Sequence, residues 1–499
     1  SRTPTATPAP APPRDAAAGA TRLVPLEVTI NGAKTGNWLL MERNGMLYAP
    51  EDAFEEWRLN RRPNARAISE RGQTWYSLAS VPGFEAQMNI ANQSVDLKFL
   101  PGAFAATRLS QASETKLPVS PALPAAFVNY DLTQTFSNTR GLDASRDLGA
   151  LVEVGASGEL GVLTSTHVGR NILNDGSVTG DKSNWRRLET SFTRDFPQQD
   201  LTLRLGDSTT KGGSFGRSTY FGGLQISRNF GFSPGFISQP IPTIAGQSSA
   251  PSTVELYIND SLRQTSKVPT GPFVIDNLPL LTGSGQARVV VRDVLGRETV
   301  LVQNFFSSSN MLAEGLSDWS LDAGAVRKNI GIKSADYGKR FGAGVWRYGI
   351  NNRWTLETHG EIGKDTYSAG VGAAVELPGQ VLGEFGMSIS DDRLAGRGHQ
   401  WLAGLQHNSL RHGFTFRAEG SNRAFRLLGQ DTTSLGYSTQ ISASYTYSSE
   451  QLGYLGLGYA RINSFDRGPL STYSANYSWR FAKGSSVTLK QGSKIKDIR

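Results

Sequence analysis

The chain has 499 residues, 55 of them glycine and none cysteine, with hydrophobic residues at 38% and a formal net charge of +8. That length is enough for several domains, the absence of cysteine excludes disulfide frameworks and thiol catalysis, and no stretch approaches the roughly 18 consecutive apolar residues of a membrane-spanning helix. Strands of a membrane barrel are not excluded, because their alternating residues average out in hydropathy. A basic chain raises nucleic-acid binding, yet Lys and Arg are scattered, with Arg61-Arg62 and Lys494 to Lys496 the nearest things to clusters. Scattered charge fits a solvated surface or a lipopolysaccharide-facing rim better, and no nucleic-acid partner is expected.

Residues 1–20, rich in Pro and Ala, read as a disordered tether. They show neither a start methionine nor a signal-peptide pattern, as expected of a stretch that follows a removed export signal. Residues 21–110 read as a small α+β domain. Leu26, Val28 and Ile30 alternate into a turn at Asn31-Gly32, a strong hairpin signal, and Trp38 and Leu40 lie on the return strand. A helix is predicted from Pro50, with proline at its first position and Glu51 and Asp52 complementing its positive end. Phe54 and Trp57 then share one face. Strand signals follow around Trp75 to Leu78 and Val95 to Phe99.

Residues 111–126 carry three prolines and read as a linker. From 127 to 250 the chain alternates between apolar and polar residues with Gly, Asn and Asp turns. The stretch 251–306 differs: short strands with frequent turns suit a small β-sandwich, with Val254, Leu256, Ile258, Phe273, Ile275, Val289 and Val291 as its predicted core. Alternation resumes over 307–499. Tyr437, Thr439, Ile441, Ala443, Tyr445 and Tyr447 form one face of a strand, and Tyr473, Ala475, Tyr477, Trp479 and Phe481 one face of another. About eighteen such segments surround the sandwich, many of roughly ten residues, the length that spans a bilayer at a tilt. An outer-membrane barrel, apolar outside and polar inside, fits this pattern; a soluble sandwich with one wet face is the alternative. A barrel that wide cannot be filled by its own wall side chains, so a soluble module inserted between two of its strands is placed to plug it.

No motif carries catalysis. The five histidines lack metal-ligand spacing, Asp391-Asp392 reads as a loop tip, and neither a nucleophile elbow nor a phosphate-binding loop occurs. No enzyme activity, cofactor, metal or small-molecule substrate is expected.

PSTVELYIND followed by VPTGPFVIDNLPLLTGSGQARVVVRDVLGRET resembles the plug region of outer-membrane ushers of the chaperone–usher pilus pathway. LRLGDSTTKGGSFGRSTYFGGLQISRNF, from Leu203, resembles the segment leading into that plug. LSDWSLDAGAVR, from Leu316, resembles the strand that resumes the barrel, and RYGINNRWTLETHGE, from Arg347, a hairpin of the wall. LEVTINGAKTG and LLMERNGMLYAPEDAFEEWRL resemble the N-terminal periplasmic domain, in the divergent branch that handles spore-coat-U-like subunits.

The resemblance implies a large transmembrane antiparallel β-barrel in the outer membrane of a Gram-negative bacterium. Its lumen would be closed by a plug at 251–306, and its periplasmic domain at 21–110 would recruit chaperone–subunit complexes. Pilus subunits would be joined by donor-strand exchange, without covalent change, and exported as a fibre; outer-membrane lipid is the remaining partner. Ushers usually carry two further domains after the barrel, whereas this chain stops at KQGSKIKDIR, so a truncated chain with an incomplete barrel is expected. Trp38, Phe54 and Trp57 are the aromatic candidates for partner binding in the first domain, with core packing as the competing role for each. The rival reading is a plugged porin or transporter for a cargo other than a pilus subunit.

Overall fold

A computed structural model gives the fold and describes residues 21–61, 67–110, 123–137, 145–175, 182–214, 216–233, 236–241, 243–276, 283–430, 436–449, 451–482 and 485–496. The tether expected at 1–20 lies outside these residues, as does most of the linker expected at 111–126. The chain divides into two compact units. One joins residues up to 111 with most of the stretch 243–304; the other holds the remainder.

In the first unit, a seven-stranded sheet is built from residues 22–98. Arg22–Ile30 and Ala33–Arg43 form the expected hairpin. Asn31 and Gly32 both take positive φ, 47° and 85°, as a tight turn matching the strand twist requires. Leu26, Val28 and Ile30 point into a core with Leu40, Phe54, Val95, Leu97 and Phe99. The helix Glu51–Glu56 starts one residue later than predicted, with Pro50 as its N-cap and Glu51 and Asp52 in its first turn.

The same unit contains a sandwich of two small sheets. Ser252–Ile258 is central, flanked by Ser261–Val268 and Gly283–Asp293, with Glu298–Ser307 outermost. Facing it, Ile244–Ser248 pairs with Gly271–Asp276. Two boundaries differ from the expectation. The module begins at Ile244, not 251, and its smaller sheet gains a strand from far away, Thr107–Ser110. Neither segment alternates strongly, so neither announces itself as part of a sandwich.

The second unit is a closed barrel. Its strands run from Ala125–Ser137 to Ser485–Lys496, and consecutive wall strands pair antiparallel, as do Thr366–Leu377 and Val381–Asp392. Where a barrel short of its full strand number is expected, seventeen strands among the described residues form the ring, and the last lies beside the first. Tyr220–Arg228 pairs directly with Ser317–Arg327, Phe221 opposite Val326 and Ser227 opposite Ser320. The sandwich is therefore an insertion that leaves the wall's hydrogen bonding intact.

Candidate pore

The wall strands are inside out by the standards of a soluble protein. Along Trp354–Gly363, Trp354 and Leu356 are exposed, whereas Thr355 and Glu357 retain 1% and 4% of their accessibility. Along Val381–Asp392, Phe385, Met387 and Ile389 face outward, while Ser388, Ser390 and Asp392 are buried. Cross-strand register carries the outer face from strand to strand. Phe416 lies opposite Ala443, Ala443 opposite Tyr459, and Tyr459 opposite Tyr473, with the last two rings 5.0 Å apart. Apolar and aromatic side chains outside and polar ones inside are what a strand needs when hydrocarbon is on one side and a watery lumen on the other.

Buried inward-facing polar groups need partners, and two of the barrel's own connections supply them. Residues 210–219 join Leu201–Thr209 to Tyr220–Arg228. Glu357 accepts the Ser214 N–H at 2.6 Å and the Ser214 hydroxyl at 2.9 Å. Gly213 sits there at φ +61, where an added Cβ would collide with the Glu357 carboxylate. Residues 422–430 follow His412–Ser421. The Arg426 N–H donates to Ser390 Oγ at 3.0 Å, and the Leu428 N–H to Glu361 Oε2 at 2.8 Å. The two connections meet where Thr219 Oγ1 donates to the Leu428 carbonyl at 3.2 Å. Both therefore lie within the lumen. A cavity of about 240 Å³ remains beside them, lined by Ser214, Arg217, Arg417, Glu419, Arg426 and Tyr437 among others.

A carboxylate holds several wall strands together near this site. Asp207 accepts from Arg187 Nη1 at 2.5 Å, the Tyr337 hydroxyl at 2.7 Å, and the Thr190 N–H at 2.8 Å. It also pairs with Arg327 Nη1 at 2.8 Å. Arg327 Nη2 goes on to the carbonyls of Arg187 and Ser334 at 3.1 and 3.3 Å.

The residues singled out in the sequence lie elsewhere, in the first unit. Val254, Leu256, Ile258, Phe273, Ile275, Val289 and Val291 are all buried in the inserted sandwich. Phe54 and Trp57 are buried in the core of the N-terminal domain, and Trp38 is half-buried with its ring edge-on to Trp57 at 5.4 Å. Phe54 and Trp57 thus offer a partner no surface: the i, i+3 spacing that groups them on one helix face turns that face into the core. The inward groups Ser214, Glu357, Glu361 and Asp207 escaped the sequence reading. Their partners are distant in the chain, 143 residues for Ser214 and Glu357.

The profile of the family described as outer membrane usher protein matches residues 163–494. Among curated proteins, the outer membrane usher protein YraJ of Escherichia coli strain K12 is 24% identical over 333 residues, 64% of this chain and 37% of that protein. The usher FaeD of Escherichia coli is 30% identical over 204 residues, 40% of this chain and 24% of the relative. The chain thus spans well under half the length of these relatives. Among solved structures, a chain of the cryo-EM structure of the E. coli P pilus tip assembly intermediate PapC-PapD-PapK-PapG, in its second conformation, aligns with 95% of this chain and 62% of its own. The TM-score is 0.56 at 17% identity, a likeness of fold.

Proposed function

This chain belongs to the outer membrane usher protein family, and from that premise we propose that it recruits periplasmic chaperone–subunit complexes, promotes subunit polymerisation and exports the fibre through its barrel in the outer membrane. The observation that carries this reading is the closed barrel with an apolar outer face and a polar lumen, interrupted in sequence by a sandwich that its wall does not need. A pore of that width, if open at rest, leaks. The inward connections at 210–219 and 422–430 narrow it, and the inserted sandwich serves as the plug. The N-terminal domain faces the periplasm and receives chaperone–subunit complexes. Donor-strand exchange is strand addition, in which main-chain hydrogen bonds supply affinity and alternate side-chain pockets supply specificity; it draws on the folding energy of the subunits and requires no nucleotide site. The branch serving spore-coat-U-like subunits is the one whose N-terminal sequence this domain resembles.

The test is calorimetry on the full chain in detergent, titrated with the chaperone–subunit complex encoded beside it and, separately, with free chaperone. Selective heat with the loaded complex is expected. Equal response to both, or none to either, would overturn recruitment and leave a plugged pore for another cargo.

A further inference from the structure

The smaller sheet of the inserted sandwich would have only two strands of its own, Ile244–Ser248 and Gly271–Asp276. A pair that small is marginal, and the outer edge of Gly271–Asp276 would carry a row of unpaired N–H and carbonyl groups. Thr107–Ser110 occupies that edge. It pairs in parallel, Thr107 opposite Phe273, Arg108 opposite Val274, Leu109 opposite Ile275 and Ser110 opposite Asp276. The register places Thr107 and Leu109 on the same side as the buried Phe273 and Ile275, and Arg108 on the outer face, where its Nε lies 3.8 Å from the Asp276 carboxylate.

The segment is anchored at its other end too. Phe104, just upstream, is buried in the N-terminal core. The Ala105 N–H donates to the Arg58 carbonyl at 2.7 Å, and Arg58 Nη2 donates back to the Ala105 carbonyl at 2.6 Å. Only one residue separates this clamp from the strand. Gly271, which opens the recipient strand at φ +131, lies so close to Phe104 that an added Cβ would sit 2.8 Å from the phenylalanine Cβ. Asn31 Nδ2 reaches the Ser249 carbonyl at 3.4 Å as a further tie.

We propose that Thr107–Ser110 is an intramolecular strand-addition latch: the chain's own segment fills the open edge of Gly271–Asp276 and fastens the inserted sandwich to the N-terminal domain. Parallel pairing between segments more than 160 residues apart is no by-product of a hairpin. Any displacement of the sandwich away from the N-terminal domain must first strip this strand, which exposes an edge that another extended segment can pair with. The latch follows from the backbone pairing and does not depend on the export reading.

The chain has no cysteine, so a single introduced pair reports cleanly. In the full chain, Arg108→Cys with Val274→Cys joins register partners on the outer face, whose separation suits a disulfide. Mild oxidation is expected to link them, read as a disulfide-joined peptide by mass spectrometry. Leu109→Cys with Val274→Cys, whose side chains point to opposite faces, is the control and stays reduced. A reduced Arg108/Val274 pair, or equal linking of both pairs, would overturn the register. Independently, Arg108→Pro with Leu109→Pro removes two N–H groups from the added strand. Hydrogen exchange at residues 273–276 is then expected to quicken by about tenfold or more, with Ser252–Ile258 unchanged. Unaltered protection at 273–276 would show that the edge is held without the latch.

Discussion

Arg327 and Asp207 meet at 2.8 Å with side chains only 2% and 5% exposed, and they come from opposite sides of the insertion point. Asp207 precedes the sandwich and Arg327 follows it, so the pair ties together two parts of the wall that an entire module separates in sequence. Arg187 and Tyr337 bring in the strands Lys182–Phe196 and Tyr337–Asn351. Asp207→Asn keeps the shape but leaves two guanidinium groups without their carboxylate. Breaking a buried pair on one side costs about 3–5 kcal/mol, whereas replacing all partners by apolar residues is often near neutral. The urea midpoint of the barrel in vesicles is expected to fall accordingly for Asp207→Asn, and to recover in part when Asp207→Leu is combined with Arg187→Met, Arg327→Met and Tyr337→Phe, which leaves the Thr190 N–H as the donor without its carboxylate. A loss below about 0.5 kcal/mol for the single change, the range of ordinary surface substitutions, would show that the network does not hold the wall.

The outer face is tested by a charge. Met387 is 67% exposed and its neighbour Ser388 only 3%, on a strand whose pairing with Thr366–Leu377 is unbroken. If Met387 faces hydrocarbon, Met387→Lys costs on the order of 2–4 kcal/mol in a bilayer, because the ammonium loses its water. In a water-soluble sandwich the same change at so exposed a site would stay within about 0.5 kcal/mol. Unfolding in phospholipid vesicles separates the two.

Much of this architecture was legible because period-two alternation is a local signal. Val254, Leu256 and Ile258 declare a strand with one buried face, and Tyr473, Tyr477 and Trp479 a strand with one lipid face, whatever their neighbours. What escaped depends on partners distant in sequence. Thr107–Ser110 and Ile244–Ser248 are strands because an edge is available to them, not because TRLS or IAGQS favours extension. Glu357 looks, within WTLETHGE, like any polar residue of a wet face; only the return of residues 210–219 across the lumen makes it a receptor for Ser214. Trp38, Phe54 and Trp57 carried two readings, partner surface or core, because residue type alone does not separate them. The fold buries Phe54 and Trp57 in the core and leaves Trp38 half-buried against Trp57.

Glu357 tethers residues 210–219 through two hydrogen bonds to Ser214, and Arg347 Nε lies 3.4 Å from the same carboxylate. Glu357→Ala removes both bonds at once while the wall's backbone pairing stays in place. Loosened, the connection no longer narrows the lumen steadily. Larger and more frequent current steps than in the parent protein are expected in planar bilayers. Identical current records would mean that the contacts of Thr219 with Leu428 and of Lys211 with Asp318 and the Arg228 carbonyl suffice to hold the segment.

The hairpin tip of the inserted sandwich carries a pH signature. Asp293 Oδ1 accepts the N–H groups of Leu295 and Arg297 at 2.8 and 2.9 Å, and Oδ2 accepts from Arg297 Nε at 2.6 Å. Partial loss of solvent pushes the carboxyl pKa up, but the hydrogen bonds from Arg297 and Leu295 outweigh it, and the group titrates below the ordinary aspartate value of 3.8. A carboxyl that is more acidic when folded than when unfolded binds more protons in the unfolded chain. Its contribution is therefore fully present above the unfolded pKa and is lost as pH falls through the folded one. Between pH 7 and 5 the tip should be indifferent to pH; below about pH 4, the model-peptide range for aspartate, the turn should weaken. Asp293→Asn cannot titrate, and its amide can still accept one N–H. The fall in the sandwich's melting temperature between pH 5 and 3 should therefore be smaller in Asp293→Asn than in the parent chain, and parallel curves would mean that the acid sensitivity arises at another carboxylate.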